Sequence, residues 1–156
     1  ISENLLTTFS KSMSIDLTIL RISSAYGFNS NVPDQGVLNK WLYAAKNGSQ
    51  IVLYNSFDSL INFVSFNQIS QSIDICIKKN IIGCFNIGCE RSTSLEELYL
   101  LVCKITKNIN LELQIKSNER RFFILDTKLF ESKSNVVFKD NLFLEGIDIY
   151  KSFNDM

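Results

Sequence analysis

An α/β domain built on parallel strands is the fold class this sequence predicts, on three observations. Short runs such as "IDLTILRIS", residues 15–23, carry apolar residues on both faces, which suits strands covered by helices on either side. Segments with a 3.6-residue apolar period lie between those runs. Strand and helix patterns then alternate along the chain, the order that parallel pairing with crossover helices requires.

The first element is a helix over 1–13, with Leu5, Leu6, Phe9 and Met13 on one face. The strand at 15–23 follows it. "SAYGFNSNVPDQG", residues 24–36, reads as a long loop broken by Gly27 and Pro33. The next helix sets Val37, Leu38, Trp41, Leu42 and Ala45 on one stripe, and Gly48 suits its stop. "QIVLY", residues 50–54, is a short strand. Asn67 is expected to cap a helix running to about Lys79, with Ile69, Ile73, Cys76 and Ile77 inward. "CFNIG", residues 84–88, is another strand. Ser94 and Glu97 then have the spacing of a capping box, in which each side chain meets a backbone N–H that the helix leaves free. Leu95, Leu98, Val102 and Ile105 form the inward face behind it. A strand near 111–115, a short helix near 126–132 and a last helix over 142–153 complete the order.

The chain has 156 residues, 46% hydrophobic and 21% charged, which is a globular composition with enough apolar material for one core. The net charge of zero argues against broad binding to nucleic acid or to an anionic membrane. No apolar run approaches the length of a membrane span, and no signal-peptide pattern is present. The four cysteines, Cys76, Cys84, Cys89 and Cys103, sit in apolar patterns, and the chain has no histidine. Their spacings match no zinc module, so no metal ligands are expected. Buried free thiols in a reducing cytoplasm are the expectation. The chain opens at Ile1 inside a helical pattern, without linker or repeat. Residues 1–156 are therefore expected to be a single fragment of a longer protein.

In parallel sheets, ligands lie beyond the carboxyl ends of the strands. Those ends are "SSAYG", "YNS" and "NIG", which points to Ser23, Ser24, Tyr26, Tyr54 and Asn86. Each also has an ordinary role open to it. Ser24 and Tyr26 suit a turn and a packing contact, and Asn86 with Gly88 suits the turn from strand to helix. "SLEEL" reads as a helix start without chemistry.

Five segments in register carry a more specific signal: "LTILRISSAYG", "QGVLNKWLYAAKNGSQIVLY", "NFVSFNQISQSIDICIKK", "CFNIGCERSTSLEEL" and "LDTKLF". In this order they resemble the NAD-dependent epimerase/dehydratase family, the extended short-chain dehydrogenases that act on nucleotide sugars. The resemblance runs along nearly the whole chain but covers only the C-terminal half of the family's length. It implies the C-terminal part of a Rossmann-like parallel sheet plus the smaller substrate-binding subdomain. The family's glycine-rich phosphate loop and its YxxxK pair are not in this sequence. The lysine of that pair would stand two positions before Ile1. Tyr26 and Tyr43 have no lysine four residues later, so neither replaces the tyrosine. No catalytic residue is therefore expected here. The resemblance implies NAD or NADP in the intact protein and no cofactor on the isolated chain.

Residue by residue, the resemblance implies the following. The backbone of Ile22 and Ser23 would face the nicotinamide. Ser24 stands where the family's asparagine touches the sugar or its diphosphate. Gly36 and Val37 would line the way to the diphosphate. Val52 and Tyr54 would cradle the nucleotide base, with aromatic contact from Tyr54. Arg120 or Arg121 would pair with the diphosphate, since a guanidinium matches phosphate oxygens in a fork; a solvated surface pair is the alternative. Several positions depart from the family pattern: Ser24 for asparagine, Phe28 for proline, Asn55-Ser56-Phe57 for "GDG", Ile61-Asn62-Phe63 for "RDF", and Asn67-Gln68 for "DD". Isoleucine in place of that arginine removes a charge-assisted contact of about 1.5–3 kcal/mol.

Two functions follow as expectations. One is the substrate-binding half of an NAD(P)-dependent nucleotide-sugar epimerase, dehydratase or reductase, inactive alone, with a nucleotide-diphosphate sugar as partner. The other is a non-catalytic relative that keeps the fold as a binding or interaction module. Self-association of the isolated chain through helix 1–13 and the strand at 17–22 is expected, with no nucleic-acid or membrane partner.

Overall fold

The computed structural model describes residues 2–27, 35–108 and 111–153. The chain opens with α1 (Ser2–Ser12), then β1 (Thr18–Ile22) and β2 (Ser24–Tyr26). Helix α2 (Val37–Lys46) leads to β3 (Ile51–Leu53) and β4 (Leu60–Ser65). Helix α3 (Phe66–Lys79) leads to β5 (Gly83–Ile87) and β6 (Ser92–Ser94). Helix α4 (Leu95–Thr106), β7 (Leu113–Ile115), β8 (Phe122–Phe123), α5 (Lys128–Ser134) and α6 (Leu142–Ser152) follow. Ile1, Phe28 and Pro33 lie outside the described residues.

The α/β class holds, with parallel pairing dominant. β1 pairs with β5 in parallel, from Thr18 opposite Gly83 to Ile22 opposite Ile87. β3 pairs with β7 in parallel, Ile51 opposite Leu113. β4 is the hub of the remaining strands. Its last three residues pair in parallel with β2, and its first two with β8. Its other edge takes β6 in antiparallel register, Leu60 opposite Ser94.

β4 also divides the apolar interior. Successive side chains of a strand point to opposite faces. Phe63 packs in one core with Tyr26, Leu38, Trp41, Leu98 and Val102. Val64, the next residue, packs in a second core with Ile87, Cys89, Phe130 and Phe138. The first core lies under α2, α4 and α6, and the second under the β1–β5 pair.

Several expectations need correction. Residues 24–36 are not all loop, because Ser24–Tyr26 is a strand held by β4. β1 is half-buried rather than covered on both faces: Arg21 is exposed and its Nε donates to the Glu3 carboxylate at 3.0 and 3.1 Å. Asn67 does not cap α3. Ser65 does, accepting from the Gln68 N–H at 3.2 Å while Gln68 Oε1 accepts from the Ser65 N–H at 3.0 Å. Of the expected inward residues, Cys76 is buried and Ile69 packs half-buried against the second core. Gln68, Ser72 and Cys76 are its buried residues, whereas Ile73 and Ile77 are 47% and 74% exposed. Polar Gln68 is stable inside because its amide also donates to the Lys139 carbonyl at 2.8 Å.

The capping box at Ser94 and Glu97 forms as expected, at 3.0 and 2.9 Å. Leu95, Leu98, Val102 and Ile105 are all buried. The cysteines are free thiols; Cys76, Cys89 and Cys103 are buried and Cys84 is half-buried. Among the described residues no helix is long and apolar enough to cross a membrane.

Candidate functional site

A cavity of about 500 Å³ opens between α2 and β3, a size within the usual range for small-molecule sites. Its back wall is fixed by the Trp41 indole, whose Nε1 donates to the Val52 carbonyl at 3.3 Å. β3 is in turn held by β7 and by the Ile51 N–H donating to the Glu112 carbonyl at 2.8 Å. Tyr54, 67% exposed, stands at the mouth just past the carboxyl end of β3.

Gly36 opens α2 at the other side of the cavity. Its φ of +83° is one that only glycine adopts readily, and a β-carbon there would meet the Ala25 carbonyl oxygen at 2.7 Å. No side chain caps this helix start. Glycine thus lets the α2 start lie against β2, and so sets the edge of the cavity.

Four residues assigned by motif, Gly36, Val37, Val52 and Tyr54, come together around this cavity. The other five do not line it. Ser23 is buried, its N–H donating to the Ile87 carbonyl at 2.9 Å and its hydroxyl making no hydrogen bond. Ile22 ends β1 beside Ile87. Ser24 sits half-buried in β2 opposite Phe63. Arg120 pairs with Asp58 at 2.7 Å and lies over the Phe122 ring at 5.0 Å, while Arg121 pairs with Glu119 at 2.9 Å.

Two further candidates have structural partners. Tyr26 is buried edge-on against Phe63, with ring centroids 6.3 Å apart, and burial, helped by Glu145, pushes its phenol far up. Its phenol therefore stays protonated at neutral pH. Asn86 donates to the Asp126 carbonyl at 2.9 Å. Among the described residues no group of three acidic, histidine or cysteine side chains could hold a metal.

Reading by motif missed Lys40 and Gln50, which also line the cavity, as do Asn55 and Ile61, two of the positions that depart from the family pattern. Lys40 was within reach of the sequence, since it lies three positions beyond Val37 and therefore on the same helical face.

The pairing of β1 with β5, the strand hub at β4 and the helical layer over the cavity match the fold of the C-terminal half of solved nucleotide-sugar epimerases and dehydratases. Solved structures carry the comparison. UDP-glucose 4-epimerase from Thermotoga maritima, solved with UDP-glucose, superposes with a TM-score of 0.86 at 20% identity, over 98% of this chain and 50% of that one. UDP-N-acetylglucosamine 4-epimerase from Methanobrevibacter ruminantium M1 gives 0.85 at 18%, over 98% and 51%. dTDP-glucose 4,6-dehydratase from Bacillus anthracis, in complex with NAD, gives 0.83 at 12%, over 98% and 49%. At these identities the likeness is one of fold. The chain spans about half the length of the structures it matches. No family model matches the sequence, and no curated protein matches it.

The residues present do not by themselves fit a dinucleotide. The six glycines, at 27, 36, 48, 83, 88 and 146, nowhere take the G-x-G-x-x-G spacing of a dinucleotide loop, and no tyrosine has a lysine four residues on.

Proposed function

We propose that this chain is the substrate-binding half of a nucleotide-sugar epimerase, dehydratase or reductase, without catalysis of its own. Its ligand is a nucleoside diphosphate sugar, taken into the cavity between α2 and β3. One observation carries the reading: Gly36, Val37, Val52 and Tyr54, from the two ends of a single motif, line one cavity. The base stacks on Tyr54 at the mouth, and the diphosphate lies toward the start of α2. NAD or NADP belongs to a dinucleotide-binding half outside these residues, which also supplies the tyrosine and lysine that move the proton.

Calorimetric titration of the 156-residue chain tests this. UDP-glucose is expected to bind with heat, and NAD and NADP to give none. Absence of binding by UDP-glucose or its UDP moiety would sink the substrate reading. A micromolar dissociation constant for either dinucleotide would sink the division between halves.

A second reading has its own observation. Ile61 lines the cavity as an apolar side chain, and Asn55-Ser56-Phe57 replaces a glycine turn. Both suit a module that keeps the fold and holds a ligand or partner without belonging to any catalytic assembly. A coding sequence that begins immediately before Ile1 would favour it.

A further inference from the structure

The cavity between α2 and β3 is walled by apolar and neutral groups with a single exception. Among the described residues that line it, Lys40 alone carries a charge. Its backbone N–H donates to the Gly36 carbonyl at 3.0 Å, so it stands one turn above the glycine that opens the helix. Helical side chains lean toward the helix N-terminus, which carries the Lys40 stem back over that first turn. No described ion pair engages it.

The position is poor for the helix alone. A cation near a helix N-terminus opposes the dipole, and α2 has neither an acidic residue in its first turn nor a capping side chain. A residue that conflicts with its local element is a place to look for function. An anion beside the first turn of α2 would relieve that conflict and neutralise the lysine as well.

We infer that Lys40 is the cation that holds the phosphate oxygens of a nucleoside diphosphate in this cavity, with Tyr54 on the base. This rests on the nucleotide-sugar reading above and adds the source of its charge recognition. Arg120 and Arg121 are then structural, each engaged by its own carboxylate.

The test is titration of the 156-residue chain with UDP and with uridine, for the native sequence, Lys40→Met and Lys40→Arg. Lys40→Met should weaken UDP about tenfold, a typical worth for one charge-assisted contact. Uridine should be unchanged, and Lys40→Arg should keep most of the UDP affinity. The salt dependence of UDP binding should flatten in Lys40→Met. Lys40 is exposed, so the methionine variant is expected to fold, and its urea midpoint checks this. Equal UDP affinity for the native chain and Lys40→Met overturns the role of Lys40 and leaves the cavity reading intact. Equal losses for UDP and uridine also overturn it, because they mark a structural effect. No binding of UDP or UDP-glucose by the native chain overturns the cavity reading, and the role of Lys40 with it.

Discussion

The side-chain oxygen of Asn62 occupies the space in which a β-carbon on residue 88 would stand. Glycine at 88 is what lets β4 and the end of β5 come this close. The Asn62 amide uses the approach to donate to the Cys89 carbonyl at 2.7 Å and the Arg91 carbonyl at 3.1 Å. The Ser23 hydroxyl lies 3.2 Å from the same point, so three segments meet at one missing methyl. Gly88→Ala should therefore displace Asn62 and strand the buried Cys89 carbonyl and the half-buried Arg91 carbonyl. We expect a loss of about 2–4 kcal/mol, combining overpacking with the broken hydrogen bonds. A urea midpoint within error of the native one would refute this packing.

Two helices begin with the same device, and both starts should be measurable. Ser94→Ala and Ser65→Ala should each cost about 0.5–2 kcal/mol in urea melts. Ser65 should cost more, because it is fully buried and its loss leaves the Gln68 N–H without a partner. Neither should alter binding in the cavity, since neither lines it. Equal, negligible effects would mean that the caps contribute nothing.

The outer face of α1 should bring chains together. Leu5, Leu6, Phe9 and Met13 are all more than half exposed, an apolar patch of the kind that recruits partners. β1 is paired along only one edge among the described residues. Light scattering with size exclusion should report a dimer or larger, reduced to monomer by Phe9→Glu. A clean monomer at high concentration would refute this, and an oligomer indifferent to Phe9→Glu would put the interface elsewhere.

Glu145 should show as a pH effect. Burial raises its carboxyl above the usual glutamate range, partly offset by a hydrogen bond from Ser65, with Asp148 adding to the rise. The folded state then holds the proton more tightly than the unfolded chain does. Stability should fall as pH rises through the interval between the two values, and the ionised group carries a penalty at neutral pH. Glu145→Gln should raise the urea midpoint at pH 7. The difference should vanish below the unfolded glutamate value of about 4.3. A variant less stable at pH 7 would show that the ionised carboxylate is favourable where it stands.

What could be read from the sequence was local. The Ser94–Glu97 box is three residues wide, so its meaning survives without the rest of the chain. The stripe of Leu38, Trp41 and Leu42 is likewise contained in one helix. β2, β6 and β8 are three, three and two residues long and exist because β4 pairs with them, a fact stored far away in the sequence. α3 misled for a different reason. Ile69 and Cys76 do turn inward, but Gln68 and Ser72 fill the rest of that face and leave Ile73 and Ile77 outside. At the cavity, motif order found Gly36, Val37, Val52 and Tyr54, while Lys40 needed the wall around it to be seen as neutral.

The alternation of Phe63 and Val64 along β4 bears on how the chain comes apart. A strand whose neighbouring side chains anchor different cores leaves neither core a boundary of its own. Loosening one withdraws the backing from the other, so the domain should melt as one cooperative unit. Fluorescence of the single tryptophan, Trp41, reports on the first core. Accessibility of the Cys76 and Cys89 thiols reports on the second. The two signals should trace the same denaturation curve, with no interval in which one half of the interior is solvated and the other still dry.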